Sequence, residues 1–215
     1  MDAVVRAPAR RRAVAGALAT LCLLSSSAAP QVLAAGPQRG DAAALMDDLM
    51  ADRRPIGGPF ALTDQRGRRV GTKQWQGRVV LLYFGYLACP DICPNDLAAI
   101  GSAIGMLGSL GEQVQPVFVT LDPARDTPER IGPYAEHFHP RFLALRGTEH
   151  ETRAIAKSYK VYFAKEPRAD GQGYAIDHSS FTYVLDDQGR YAGFFPPGTT
   201  GTRIAERLRD MVKAP

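Results

Sequence analysis

Val79-Val80-Leu81-Leu82-Tyr83-Phe84-Gly85-Tyr86 is followed, after only Leu87 and Ala88, by Cys89-Pro90-Asp91-Ile92-Cys93-Pro94. A near-continuous apolar run of this length leaves no face for water, so it predicts a strand buried on both sides of a sheet. The strand is expected to end at Gly85, and the segment from about Asn95 to Leu110 predicts a helix. Both thiols then lie at a strand-to-helix turn, where the positive end of the helix favours thiolate over thiol. A spacing of four brings the two sulfurs to one side of the first turn, within reach of a disulfide or a shared metal. The pair alone does not choose between those roles.

Outward from this core, Phe60-Ala61-Leu62 and Arg69-Val70 flank a turn at Asp64-Gln65-Arg66-Gly67 and predict an opening hairpin. Val117 to Leu121 and Phe142 to Leu145 read as two further strands. Asp126-Thr127-Pro128-Glu129 predicts a helix start, with Asp126 as cap and Glu129 reaching back. Thr148 caps another helix, running to about Tyr159. Phe181 to Leu185 and Tyr191 to Phe195 form a hairpin around Asp186-Asp187-Gln188-Gly189, and a last helix covers about Thr202 to Val212. Alternating strands and helices with a terminal hairpin specify an α/β sheet with helices on both faces.

The first 35 residues read as a targeting segment. Arg6, Arg10, Arg11 and Arg12 make a basic start, Ala13 to Leu24 is apolar, and Val32-Leu33-Ala34 supplies a cleavage signal. A retained anchor competes, because the charge-free stretch from Ala13 to Ala35 is long enough to span a bilayer. Ser25-Ser26-Ser27 and Pro30 dilute its second half, and a cleaved signal peptide is the favoured reading. The expected location is the bacterial periplasm, either free or anchored facing it. Residues 36–58 read as a short amphipathic helix and linker, in which Met46 and Met50 lie one turn apart; a packing or membrane-proximal stripe explains them better than thioether ligation of a soft metal. Residues 59–215 read as one domain.

Removing the leader changes the charge reading. Lys plus Arg falls from 26 to 22 with the loss of four arginines, and Asp plus Glu from 22 to 21 with Asp2. The net charge drops from +4 to about +1, so the basic balance belongs to the leader and argues against a nucleic-acid partner. Cys22 leaves as well, so Cys89 and Cys93 remain alone. In an oxidising compartment such a pair suggests a disulfide. A loop this short constrains the unfolded chain little, so a purely structural staple explains the pair poorly.

Four histidines are available as further ligands: His137, His139, His150 and His178. His137 and His139 are expected near a helix end, where positive charge suits the carbonyls, and at i, i+2 they do not face one ion. His150 falls in the first turn of a helix. His178, in Asp177-His178-Ser179-Ser180, immediately precedes a strand whose entry should lie beside the thiols. On its residues alone it reads equally as a satisfied structural histidine and as a ligand.

Three separated segments resemble the signatures of the Sco/SenC proteins: Tyr83 to Pro94, Leu121-Asp122-Pro123-Ala124-Arg125-Asp126-Thr127-Pro128, and Asp177-His178-Ser179. The resemblance runs from about Gly58 to the C-terminus in order and spacing, and takes in Gly57 to Asp64. It implies a thioredoxin-like fold with a central mixed sheet flanked by helices and an extra N-terminal hairpin. It also implies copper bound through Cys89, Cys93 and His178, and delivery to the dinuclear CuA centre of cytochrome c oxidase subunit II. Ala88 departs from the polar residue many members carry.

The donor types agree with that implication. Two thiolates and an imidazole suit Cu(I), whereas Cu(II) would want a fourth donor such as water or a carboxylate. Asp122 is a candidate, although Asp-Pro sequences more commonly hold a loop by turn hydrogen bonds. Zinc is compatible with the ligand types, but no general base accompanies it. The alternatives are a thiol-disulfide oxidoreductase, in which Cys89 attacks, and a copper- or redox-sensing module. Against the first, the usual redox motif has one fewer residue between its cysteines.

Overall fold

The computed structural model describes residues 56–169 and 171–212. The leader, the helix expected before Pro55 and its two methionines lie outside the described residues. Among the described residues, no helix is long and apolar enough to cross a membrane.

The apolar run forms β3 (Val79–Gly85), all seven residues of which are buried. It pairs in parallel with β4 (Val114–Thr120), which pairs in parallel with β5 (Leu143–Arg146). The opening hairpin is β1 (Ala61–Asp64) and β2 (Arg69–Gly71), with β1 antiparallel to β5. On the other side β8 (Thr182–Leu185) runs antiparallel to β3 and carries β9 (Tyr191–Phe195) at its far edge. The resulting sheet has the order β2-β1-β5-β4-β3-β8-β9. Helices α1 (Ile92–Met106), α2 (Pro128–Phe138), α3 (Glu149–Ser158) and α4 (Gly201–Arg209) flank it, with α1 and α4 packed together. This is the mixed, helix-flanked thioredoxin-like architecture expected, including the extra hairpin.

Several boundaries differ from expectation. Helix α1 begins at Ile92, not Asn95, because the N–H that Pro94 lacks would have been unsatisfied in the first turn anyway. It stops at Met106 and gives way to a 3₁₀ segment, Gly108–Gln113. Strand β4 starts three residues before Val117 despite Pro116. At Pro116 the strand has β3 as neighbour while β5 joins only from Val117, so no second ladder needs the missing donor. Thr148 caps α3 as expected, its hydroxyl accepting from the Glu151 amide while the Glu151 carboxylate accepts from the Thr148 amide.

Asp126 is not the cap of α2; Thr127 occupies that position. Asp126 is buried, and its carboxylate accepts from Thr120 Oγ1 at 2.5 Å and from the Leu87 amide at 3.1 Å. A second sheet was also not expected. Strands β6 (Phe163–Pro167) and β7 (Tyr174–His178) form an isolated antiparallel hairpin. Its sequence is half exposed and mixed in polarity, which hides the period of two. His178 therefore ends a strand instead of lying in a loop.

Candidate metal centre

The end of β3 delivers the chain into Leu87-Ala88, and Cys89 follows just before α1. Cys89 sits against the start of that helix, with the Cys93 amide directed at its sulfur over 3.5 Å. Cys93, in the first turn, points back into the core. It is fully buried, whereas Cys89 keeps 9% of its surface. Both are free thiols.

Cys93 needs a gap in the core, and Gly85 provides it. A Cβ at residue 85 would lie 2.8 Å from Cys93 Sγ, closer than such atoms approach in folded proteins. The sequence signal for this was a glycine closing an otherwise bulky strand. Tyr83 supplies a second wall. Its hydroxyl lies beside the Cys93 thiol and donates to Asp96 Oδ2 at 3.2 Å. Asp96 in turn accepts from the Gly198 amide at 2.8 Å, which ties α1 to the loop before α4. Burial holds the Asp96 carboxyl above its ordinary range, with the Gly198 amide opposing it.

His178 comes from the separate hairpin. Its Nε2 lies 3.4 Å from Cys93 Sγ, and its Nδ1 lies 3.3 Å from the Ser179 carbonyl. The Tyr86 ring meets its edge at 5.8 Å and 81°. The donor atoms of Cys89, Cys93 and His178 all fall within 4.8 Å of one another. Two sulfurs and one imidazole nitrogen at that separation fit a soft ion of low coordination number.

The electrostatics of the two thiols are split. The Cys93 thiol donates to Cys89; with help from His178 and the amides of Cys93 and Asp91, this outweighs burial and pulls Cys89 down to about 4. Cys93 is held far above the ordinary thiol range, first because its proton serves Cys89 and then because it is buried. Ligation would require that second proton to leave.

Asp122 does not join the donor cluster. Its carboxylate is taken by Arg125 Nε and by the Tyr174 hydroxyl at 2.8 Å, and its carbonyl accepts from the amides of Arg125 and Asp126. It holds the loop between β4 and α2. His137 and His150 are exposed and do not belong to the donor group. His139 departs from the expectation of a positive helix end. Its Nδ1 accepts from the Arg141 amide at 3.2 Å, and burial followed by the Arg141 charge lowers its pKa.

Comparison with known proteins agrees with this geometry. A family model described as SCO1/SenC matches residues 49–213. The SCO2-like protein of Rickettsia prowazekii is 40% identical over 164 residues, covering 76% of this chain and 80% of that protein. Among solved structures, Arabidopsis thaliana ScoI with copper bound superposes with a TM-score of 0.68 at 35% identity, covering 73% of this chain and 97% of that one. Bradyrhizobium japonicum ScoI with copper bound gives a TM-score of 0.67 at 37% identity, covering 73% and 99%.

Proposed function

The chain belongs to the SCO1/SenC family, and from that premise we propose that it is a copper carrier serving assembly of the CuA centre in cytochrome c oxidase subunit II. The observation that carries this reading is the convergence of three soft donors, Cys89 Sγ, Cys93 Sγ and His178 Nε2, within 4.8 Å. Copper is the cargo. Cys89 meets it already as thiolate, Cys93 releases a proton on binding, and His178 closes the third side. Cys93 is walled in by Gly85 and Tyr83, whereas Cys89 keeps a small exposed surface and His178 is half-buried. A partner's thiolate can therefore approach the ion from one side and displace it stepwise. The reading includes export to the periplasm by the leader, with the carrier either released or anchored there.

The test is copper stoichiometry and the Cu(II) absorption spectrum of the reduced protein, wild type beside His178→Ala. One copper per chain, with a thiolate-to-copper band that His178→Ala shifts, is the expected result. No retained copper would sink the proposal. The split thiols support a second reading, a thiol-disulfide oxidoreductase in which Cys89 attacks and Cys93 resolves. That reading predicts rapid exchange with a partner disulfide and indifference to His178→Ala.

A further inference from the structure

The histidine arm is an isolated two-stranded hairpin, and such a hairpin is barely stable by itself. Something outside it must fix where His178 sits. Along β7, alternate residues Tyr174, Ile176 and His178 share one face. Ile176 is buried, Asp177 between them is exposed, and His178 meets Cys93. Tyr174, about 13 Å up the strand at a rise of about 3.3 Å per residue, meets the loop between β4 and α2. There its hydroxyl donates to Asp122 Oδ1 at 2.8 Å, and its carbonyl accepts from an Arg125 terminal nitrogen at 2.8 Å. The Arg125 guanidinium lies over the Tyr174 ring at 3.7 Å from its centroid, with Nε on Asp122. Near the other end, the Ser179 amide bonds the Tyr162 carbonyl and the Tyr162 amide bonds Ser179 Oγ.

The same loop also holds the thiol arm, because Asp126 accepts from the Leu87 amide two residues before Cys89. One short loop thus grips both halves of the site, with Asp126 on the thiol side and Asp122 with Arg125 on the histidine side. From this we infer that Tyr174 is a positioning residue for His178: the latch of Tyr174 on Arg125 and Asp122 keeps the hairpin closed so that the imidazole faces the thiols. The copper readout of this inference rests on the proposed carrier function; the position of the arm does not.

The experiment has two arms. The first is hydrogen–deuterium exchange of residues 174–179 in the metal-free protein, for wild type, Tyr174→Phe and Tyr174→Ala. Tyr174→Ala should speed exchange in that segment while β3 stays protected, and Tyr174→Phe, which keeps the ring on Arg125, should do so less. Unchanged exchange in both variants overturns the latch, whether or not the protein takes copper. The second arm is Cu(II) affinity by competition titration, placed in a cycle with His178→Ala. Loss of a residue that orients a ligand typically costs ten- to a hundredfold, so Tyr174→Ala should weaken Cu(II) binding by about tenfold. On the His178→Ala background the same change should have almost no further effect, because Tyr174 acts through that ring. An equal loss on both backgrounds overturns the positioning role. Wild type that binds no copper defeats the carrier reading, and the exchange data still decide the latch. If Tyr174→Ala fails to fold, Tyr174→Phe carries both measurements.

Discussion

The two halves of the donor cluster are held in opposite ways. The thiol half hangs from β3, the most buried strand of the main sheet, and Cys93 is wedged between Gly85, Tyr83 and α1. The histidine half sits on a half-exposed hairpin outside that sheet, fixed by buried Ile176, by Phe163 and Tyr174 at the core's edge, by a few polar contacts and by the Tyr86 ring. Core packing costs kilocalories to disturb, whereas a handful of part-exposed hydrogen bonds costs far less. A site built this way surrounds two donors with core packing and leaves the third half-buried. That division suits the proposed carrier role, which needs firm binding together with release of the ion.

Breaking the rigid half should have the largest consequence. Cys93→Ser should reduce retained copper from one per chain to background by elemental analysis after desalting. Retention near one per chain would mean that the buried sulfur is not a ligand. Gly85→Ala should come next, since the added methyl meets Cys93 Sγ at 2.8 Å and the sulfur must move. Overpacking of this kind costs about 1–3 kcal/mol, readable by urea denaturation, and copper affinity should fall with it. Wild-type affinity in Gly85→Ala would show that the thiol half tolerates shifts the comparison denies it.

The adaptable half should respond more mildly. His178→Ala should weaken Cu(II) by on the order of a hundredfold, or about 3 kcal/mol, and Cu(I) by clearly less, because Cu(I) accepts two-coordinate thiolate ligation. Equal losses for the two oxidation states would remove the distinction between the halves. Acid titration sharpens the same contrast without metal. A thiol brought to about 4 stays deprotonated through neutral pH, so alkylation of Cys89 by iodoacetamide should be flat from about pH 6 upward. The rate should then fall as pH drops toward 4, whereas an ordinary thiol would lose reactivity steadily from about pH 8.5. The smallest effect is expected from His137→Ala with His139→Ala, which should leave copper affinity unchanged in the same titration. A drop there would place a further ligand at the C-terminal end of α2.

What the sequence made legible follows from how local each signal was. The unbroken apolar run placed β3, and Thr148 with Glu151 placed the start of α3, because burial and capping are written in neighbouring residues. Asp126 carries the same local signature of a cap, yet the fold uses its carboxylate elsewhere. Its partners, Thr120 and Leu87, are 6 and 39 residues away, and nothing nearby marks a carboxylate reserved for them. The β6–β7 hairpin leaves no local signature because exposed strands lack the alternation that burial imposes.

By itself the sequence determined the central strand, the thiol pair at its end, and the residue types for a soft metal. It left His178 balanced between ligand and structural residue until the family resemblance tipped it. Only the tertiary structure decided that His178 ends a strand of its own sheet, that its Nε2 reaches Cys93, and that Tyr174 on the same strand meets Arg125 and Asp122. The reason is physical. Burial and capping signals are written in neighbouring residues, but the position of an arm docked through buried Ile176 and long-range polar contacts depends on partners that only the folded chain brings within reach.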